Sequence, residues 1–290
     1  AKRGISLNLG ELQYQLIWDR LLAIVEEQAQ TLMRTAFSTV VREAGDLSAG
    51  VFDIEGQMLA QAVTGTPGHV NAMALSVGKF LQKHPVASLC EGDVLVTNDP
   101  WDGTGHLNDF TVVTPVFLDG RCVAFFASTS HIADVGGRGF GPDANDLYEE
   151  GIRIPITYLF SKGIRNETLL SLIKANVRDP IVAEGDLYSL ATCNDSGNAE
   201  LIGLMRDYDL SNLEEVGRSI LESSRRAMLE DIRSLPRGEF CHEIYIDGYD
   251  QPVRLFCKLV ISRDAIEIDF SGSSGPSEKG INVPLAYTEA

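Results

Sequence analysis

Residues 98–141 read NDPWDGTGHLNDFTVVTPVFLDGRCVAFFASTSHIADVGGRGFG, and the fold turns on how this stretch pairs with itself. Phe110 to Leu118 is β-branched and aromatic, with one proline, and Arg121 to Thr129 is again apolar. Asp119-Gly120 between them has the composition of a two-residue hairpin turn. Such a turn sets Leu118 opposite Arg121. Running that register back places Asn108 opposite His131 and Asp109 opposite Ser130. His106-x-x-Asp109 and His131-x-x-Asp134 then arrive together at the open end of one hairpin. Two imidazoles and one or two carboxylates converging from strand ends suit a divalent ion such as Zn, Mn or Fe. The same residues also read as a plain structural hairpin, because a slip of one residue sends every side chain to the other face.

Upstream, Leu12, Leu16, Leu21, Leu22, Val25, Ala29, Leu32, Met33 and Ala36 recur at helical spacing, predicting an amphipathic helix over residues 11–37. Ser48 to Phe52 and Met58 to Ala62 form a second hairpin candidate. The loop TGTPGH then sets His69 just before a helix of about 70–83. His69 is either a third imidazole for the ion or a helix-start hydrogen-bonding residue. Val94 to Val96 is a short buried strand feeding the loop that begins at Asn98. In that loop Asp99 and Asp102 flank Trp101, as acid/base groups near the ion or as ordinary turn residues.

Beyond Gly141 the chain reads as loop until Ile154-Pro155, then as helices near 167–176, 187–206 and 211–234, the last capped by Ser211 with Glu214. After Pro236 the pattern turns to strands: Phe240 to Ile246, Val253 to Ile261 and Ile266 to Phe270 predict a β-meander. The expectation is an α+β fold of antiparallel hairpins and meander with packed helices. It divides into a metal-binding region over 1–236 and a β-rich region over 237–290. The final INVPLAYTEA reads as the start of another element, as in the N-terminal part of a longer subunit.

The formal net charge of −17, with no basic cluster to offset it locally, argues against nucleic acid or an anionic membrane as partner. No apolar run reaches the length of a membrane-spanning helix. The five cysteines are scattered without C-x-x-C and read as reduced cytosolic thiols. No G-x-x-x-x-G-K-[ST] loop and no G-x-S-x-G elbow occurs, so neither a P-loop nucleotide site nor an acyl-enzyme serine is encoded here.

The segments GDLSAGVFDIEGQMLAQ, NDPWDGTGHLNDFTVVTPVF, SHIADVGGRG, EEGIRIP and NVRDPIVAEGDL, in this order, resemble the hydantoinase B/oxoprolinase family. That family also includes the metal-bearing subunits of acetone and acetophenone carboxylases. The resemblance implies a mixed α/β subunit holding a divalent metal through His106, His131 and Asp134, with Asp109 a further ligand candidate, and with Asp102 or Asp109 orienting water or moving protons. It implies a hydantoinase A-like partner that binds Mg-ATP and phosphorylates the substrate, in a hetero-oligomer. The implied activity is hydrolysis of a cyclic amide of the hydantoin or 5-oxoproline kind. Carboxylation of a ketone is the alternative, and a scaffold with a structural metal the third reading. The chain departs from the pattern in one place: it has Gly-Thr-Gly-His-Leu-Asn-Asp where many relatives have Gly-Gly-Thr-His-Leu-Pro-Asp.

Overall fold

The computed structural model of the chain describes residues 10–289. Its elements are, in order, α1 (Glu11–Thr35), α2 (Thr39–Ala44), β1 (Leu47–Phe52), β2 (Met58–Gln61), α3 (Pro67–Lys83), β3 (Val94–Thr97), β4 (Asp109–Leu118), β5 (Arg121–His131), α4 (Leu147–Glu150), β6 (Thr157–Ser161), β7 (Ile164–Arg165), α5 (Glu167–Asn176), α6 (Pro180–Asp207), α7 (Glu214–Ser234), β8 (Gly238–Ile246), β9 (Val253–Ile261), β10 (Ile266–Asp269) and α8 (Leu285–Thr288). This is the α+β mixture of antiparallel sheets and packed helices that the sequence predicts.

Two compact units divide the chain. One comprises the described residues up to Phe140, Leu147–Gly217 and those from Val283 on. The other comprises Gly141–Asp146 and Arg218–Asn282. The first holds a seven-stranded antiparallel sheet in the order β2-β1-β5-β4-β3-β6-β7. The second holds a three-stranded sheet, β10-β9-β8, in which Arg254 of β9 pairs with Glu243 of β8.

The large sheet is covered on both faces, so most of β4 and β5 is buried, including polar side chains such as Thr111, Ser128 and Thr129. β3 shows the division: Val94 and Val96 join one core with Ala29, Leu32, Leu187 and Leu190 of α1 and α6. Leu95 joins the other core with Met73, Val77 and Phe80 of α3. Polar side chains pin the α1/α6 layer. The Gln28 amide of α1 donates to Ala127 O and Asn194 Oδ1, and the Asn194 amide of α6 donates to Val112 O and Thr114 Oγ1. All of these atoms are buried, so each bond matters more than it would at the surface.

The hairpin forms as read at its tip. Asp119 and Gly120 both have positive φ, the requirement of a two-residue I′ turn, and Leu118 pairs with Arg121. The register then departs from the expectation. Phe117 pairs with Cys122 but Val116 pairs with Ala124, so Val123 is a bulged extra residue. Beyond it every pairing moves by one: Asp109, not Asn108, faces His131, and Phe110, not Asp109, faces Ser130.

Other expectations need adjustment. The first helix ends at Thr35, where Ala36 takes an extended conformation. The helix expected at 187–206 begins at Pro180, with Asp179 accepting from Val182 N as its N-cap. Helix α7 starts three residues after Ser211, and Asn212 rather than Ser211 accepts from the Glu214 backbone. The stretch after Gly141 contains α4 where only loop was expected.

Candidate metal centre

Four segments converge on one carboxylate. Asp109 opens β4 and is fully buried. Its Oδ2 lies 3.1 Å from His69 Nε2 and 3.4 Å from His106 Nε2, and its Oδ1 lies 3.5 Å from His131 Nδ1. His69 comes from the first turn of α3, His106 from the loop before β4 and His131 from the end of β5. The rings of His106 and His131 stand 5.2 Å apart, edge to face. Asp46, just before β1, is the second carboxylate, 3.8 Å from both His69 Nε2 and His131 Nδ1. The pairing of β1 with β5, Leu47 facing Ser130, brings it there, and the Thr66 hydroxyl donates to it at 2.7 Å. Phe140 packs on the rings of His106 and His131, at 5.4 and 5.1 Å, while remaining 70% exposed itself.

The electrostatics follow from this packing. Burial pushes the Asp109 carboxyl up, but the contacts of the His131 and His69 imidazoles, with the electrostatic influence of His106, outweigh it and hold the carboxylate far below its usual range. Burial works to lower His69, yet its contact with Asp109 and the charge of Asp46 raise it. His106 moves down because burial dominates, with His131 and His69 adding repulsion. Thr104 donates its hydroxyl to Asp109 Oδ2 at 3.1 Å.

The residues suit a divalent cation. His106, Asp109 and His131 each offer a ligand atom, all within 4.8 Å of one another. Among the described residues, Asp109 Oδ1 and the Nδ1 atoms of His69 and His106 are buried without a hydrogen-bond partner. Buried polar atoms are normally satisfied, so such orphans need a partner. Two imidazoles and a carboxylate form a borderline donor set appropriate to Zn, Mn or Fe.

Of the residues singled out from sequence, His106, His131 and Asp109 are brought together. Asp134 is held elsewhere: Arg178 Nη1 pairs with its Oδ1 at 2.7 Å, the Arg178 backbone donates to Oδ2, and Gly136 N donates to Oδ1. Asp102 lies 3.7 Å from Lys79 Nζ and outside the cluster. Asp99 clasps Arg153, 2.6 Å from its Nη2, and Arg153 in turn stacks over Trp101. Asp46 went unread, since its segment carries no metal-like spacing and only strand pairing delivers it.

The hydantoinase B/oxoprolinase family description matches residues 10–290. A putative D-/L-hydantoinase B-type component from Pseudomonas sp. (strain NS671) is 26% identical over 289 residues, covering 94% of this chain and 49% of that protein. The crystal structure of ATP-dependent caprolactamase from Pseudomonas jessenii superimposes with a TM-score of 0.89 at 24% identity, covering 98% of this chain and 49% of that one. The nucleotide-free structure of acetone carboxylase superimposes with a TM-score of 0.86 at 18% identity, over 94% of this chain and 39% of that one. The chain thus spans about half the length of the hydantoinase component it matches. With the match running from the start of α1 to the end of the sequence, the chain belongs to the hydantoinase B/oxoprolinase family.

Proposed function

We propose that this chain carries the metal-holding part of a subunit that, with an ATP-binding partner, hydrolyses a cyclic amide. The observation behind this reading is the buried Asp109 carboxylate, ringed by His69, His106 and His131 and still short of a hydrogen-bond partner at Oδ1. Ring amides resist hydrolysis, and phosphorylating the amide oxygen makes a better electrophile. That step, with its Mg-ATP, falls to a hydantoinase A-like partner, since the stretch in hand encodes no P-loop. The relatives named as one component of a hydantoinase and as an ATP-dependent caprolactamase support both the partner and the ring amide.

His106, Asp109 and His131 would hold the ion, which when bound supplies Lewis acidity to a carbonyl or a water molecule. Of its two expected roles this gives Asp109 ligation rather than acid/base work, and it leaves Asp134 to a structural pair. His69 fixes the Asp109 carboxylate from behind. Asp46, oriented by Thr66 and only partly exposed, is the carboxylate best placed to hold a proton beside the reacting atoms, in preference to Asp102. Phe140 shields the imidazoles on one side.

The test is copurification with the ATP-binding candidate, elemental analysis, and ATP hydrolysis assayed with hydantoin, 5-oxoproline, caprolactam and acetone. Bound metal with ring-amide-dependent ATP hydrolysis is expected. Turnover only with acetone and bicarbonate would select the ketone carboxylation to which the acetone carboxylase likeness points.

A further inference from the structure

Tyr287 lies on α8, which packs against α3. Its ring fills the space left by two glycines. A Cβ on Gly68 would fall 2.5 Å from Tyr287 Cζ, and one on Gly105 would fall 3.0 Å from Cδ2. Both separations are shorter than van der Waals contact, so the ring rests directly on main chain at both places. Gly68 immediately precedes His69, and Gly105 immediately precedes His106. One rigid aromatic ring therefore touches the backbone next to two of the three imidazoles, on segments that meet nowhere in sequence. The phenol also lies in the field of the centre: burial raises it, and the charges of Asp109 and Asp46 raise it further.

We propose that Tyr287 is a positioning residue whose ring, seated on Gly68 and Gly105, sets the separation of the His69 and His106 backbones and so the spacing of imidazoles around Asp109. The inference deepens the metal-centre reading above and rests on it for one readout only. Metal centres depend on the groups that orient their ligands, and loss of such a group typically costs about 10- to 100-fold in affinity.

The experiment compares wild type, Tyr287→Phe, Tyr287→Ala, Gly68→Ala and the Gly68→Ala/Tyr287→Ala double variant. The first readout, on metal-free protein labelled at histidine nitrogen, is the imidazole resonances. Tyr287→Ala should move those of His69 and His106 while leaving His84 and His242 in place. The second is Co2+ titration followed by visible absorption, where Tyr287→Ala should weaken binding about 10-fold or more. Tyr287→Phe keeps the ring and should match wild type in both. Gly68 does not have positive φ, so alanine there adds no backbone strain. Its nearest contacts are all with Tyr287, the hydroxyl oxygen first and the ring next, so it should reproduce Tyr287→Ala, with the double variant no worse than either single one. Unmoved His69 and His106 resonances in Tyr287→Ala, or Gly68→Ala and Tyr287→Ala effects that add, would overturn the proposal. Should Tyr287→Ala lose its fold by circular dichroism, Tyr287→Leu is read in the same way. A wild-type protein that takes up no Co2+ would sink the metal reading, and the resonances would still decide the role of Tyr287.

Discussion

The chain carries His-x-x-Asp twice, at His106–Asp109 and at His131–Asp134, and the two aspartates meet opposite surroundings. Asp109 is fully buried and surrounded by imidazoles, with no lysine or arginine paired to it among the described residues. Asp134 sits near the surface in the grip of Arg178, with hydrogen bonds from two backbone amides. Each carboxylate is held below its usual range against the upward push of burial, but by different agents: titratable imidazoles in one case, a permanent guanidinium and amides in the other. A side chain already neutralised by arginine has little left to offer a metal. One whose neighbours are imidazoles has no fixed cation competing for it. The spacing of the motif does not distinguish them; the neighbours supplied by distant segments do.

The sharpest test of this contrast is Asp109→Asn. The amide keeps an oxygen but loses the charge that the three imidazoles share, so metal affinity and activity should fall by about 100-fold or more, measured by elemental analysis and turnover. Retention of stoichiometric metal would break the comparison outright. His131→Ala comes next. It should also lose metal and activity while circular dichroism stays native. Because His131 is only 7% exposed and packed against Phe140, it should in addition cost about 1–3 kcal/mol of stability in denaturant titration.

Asp134→Asn should behave in the opposite way: metal content unchanged, stability lowered by about 1 kcal/mol. The sign of its pH dependence follows from the lowered folded-state value. A depressed carboxylate stabilises the fold above its unfolded value near 3.9, and that contribution disappears as pH falls through the folded value. Wild type and Asp134→Asn should therefore differ at pH 7 and converge in acid-unfolding curves below about pH 4. A variant that lost metal instead would restore Asp134 to the centre. The smallest effect expected is the coupling energy of a cycle pairing Asp134→Asn with Arg178→Ala. At about 0.5–1 kcal/mol it fits a pair whose arginine is largely exposed.

The elements were legible where local chemistry determines them. Asp119-Gly120 demands its turn, and the leucines and alanines of α1 demand a helix. The bulge at Val123 was not legible, because an apolar β-branched residue inside an apolar strand carries no mark of being unpaired. That single residue decides whether Asn108 or Asp109 faces His131. Asp46 was hidden for a related reason: it reaches the centre only because β1 lies beside β5, a fact about sheet order rather than about any short pattern. Asp134 misled because its partner, Arg178, lies far along the chain at the entry to α6. Ser211 misled by one residue, since Asn212 beside it is the residue that accepts from the Glu214 amide.

The bulge separates the hairpin into two halves with independent phase. From the tip to Phe117 the strands follow the turn; from Val116 to the open end they follow the bulge. A residue gained or lost at the tip would be absorbed there only if the bulge moved or vanished with it, because the far half is fixed by its pairing to β1 and β3. In evolutionary terms, a one-residue insertion in the Asp119-Gly120 loop is expected to be compensated by the loss of Val123. Homologues that differ in loop length should differ in the same step in whether β5 is bulged, so the hairpin tip can vary while the chemistry at its other end holds its frame.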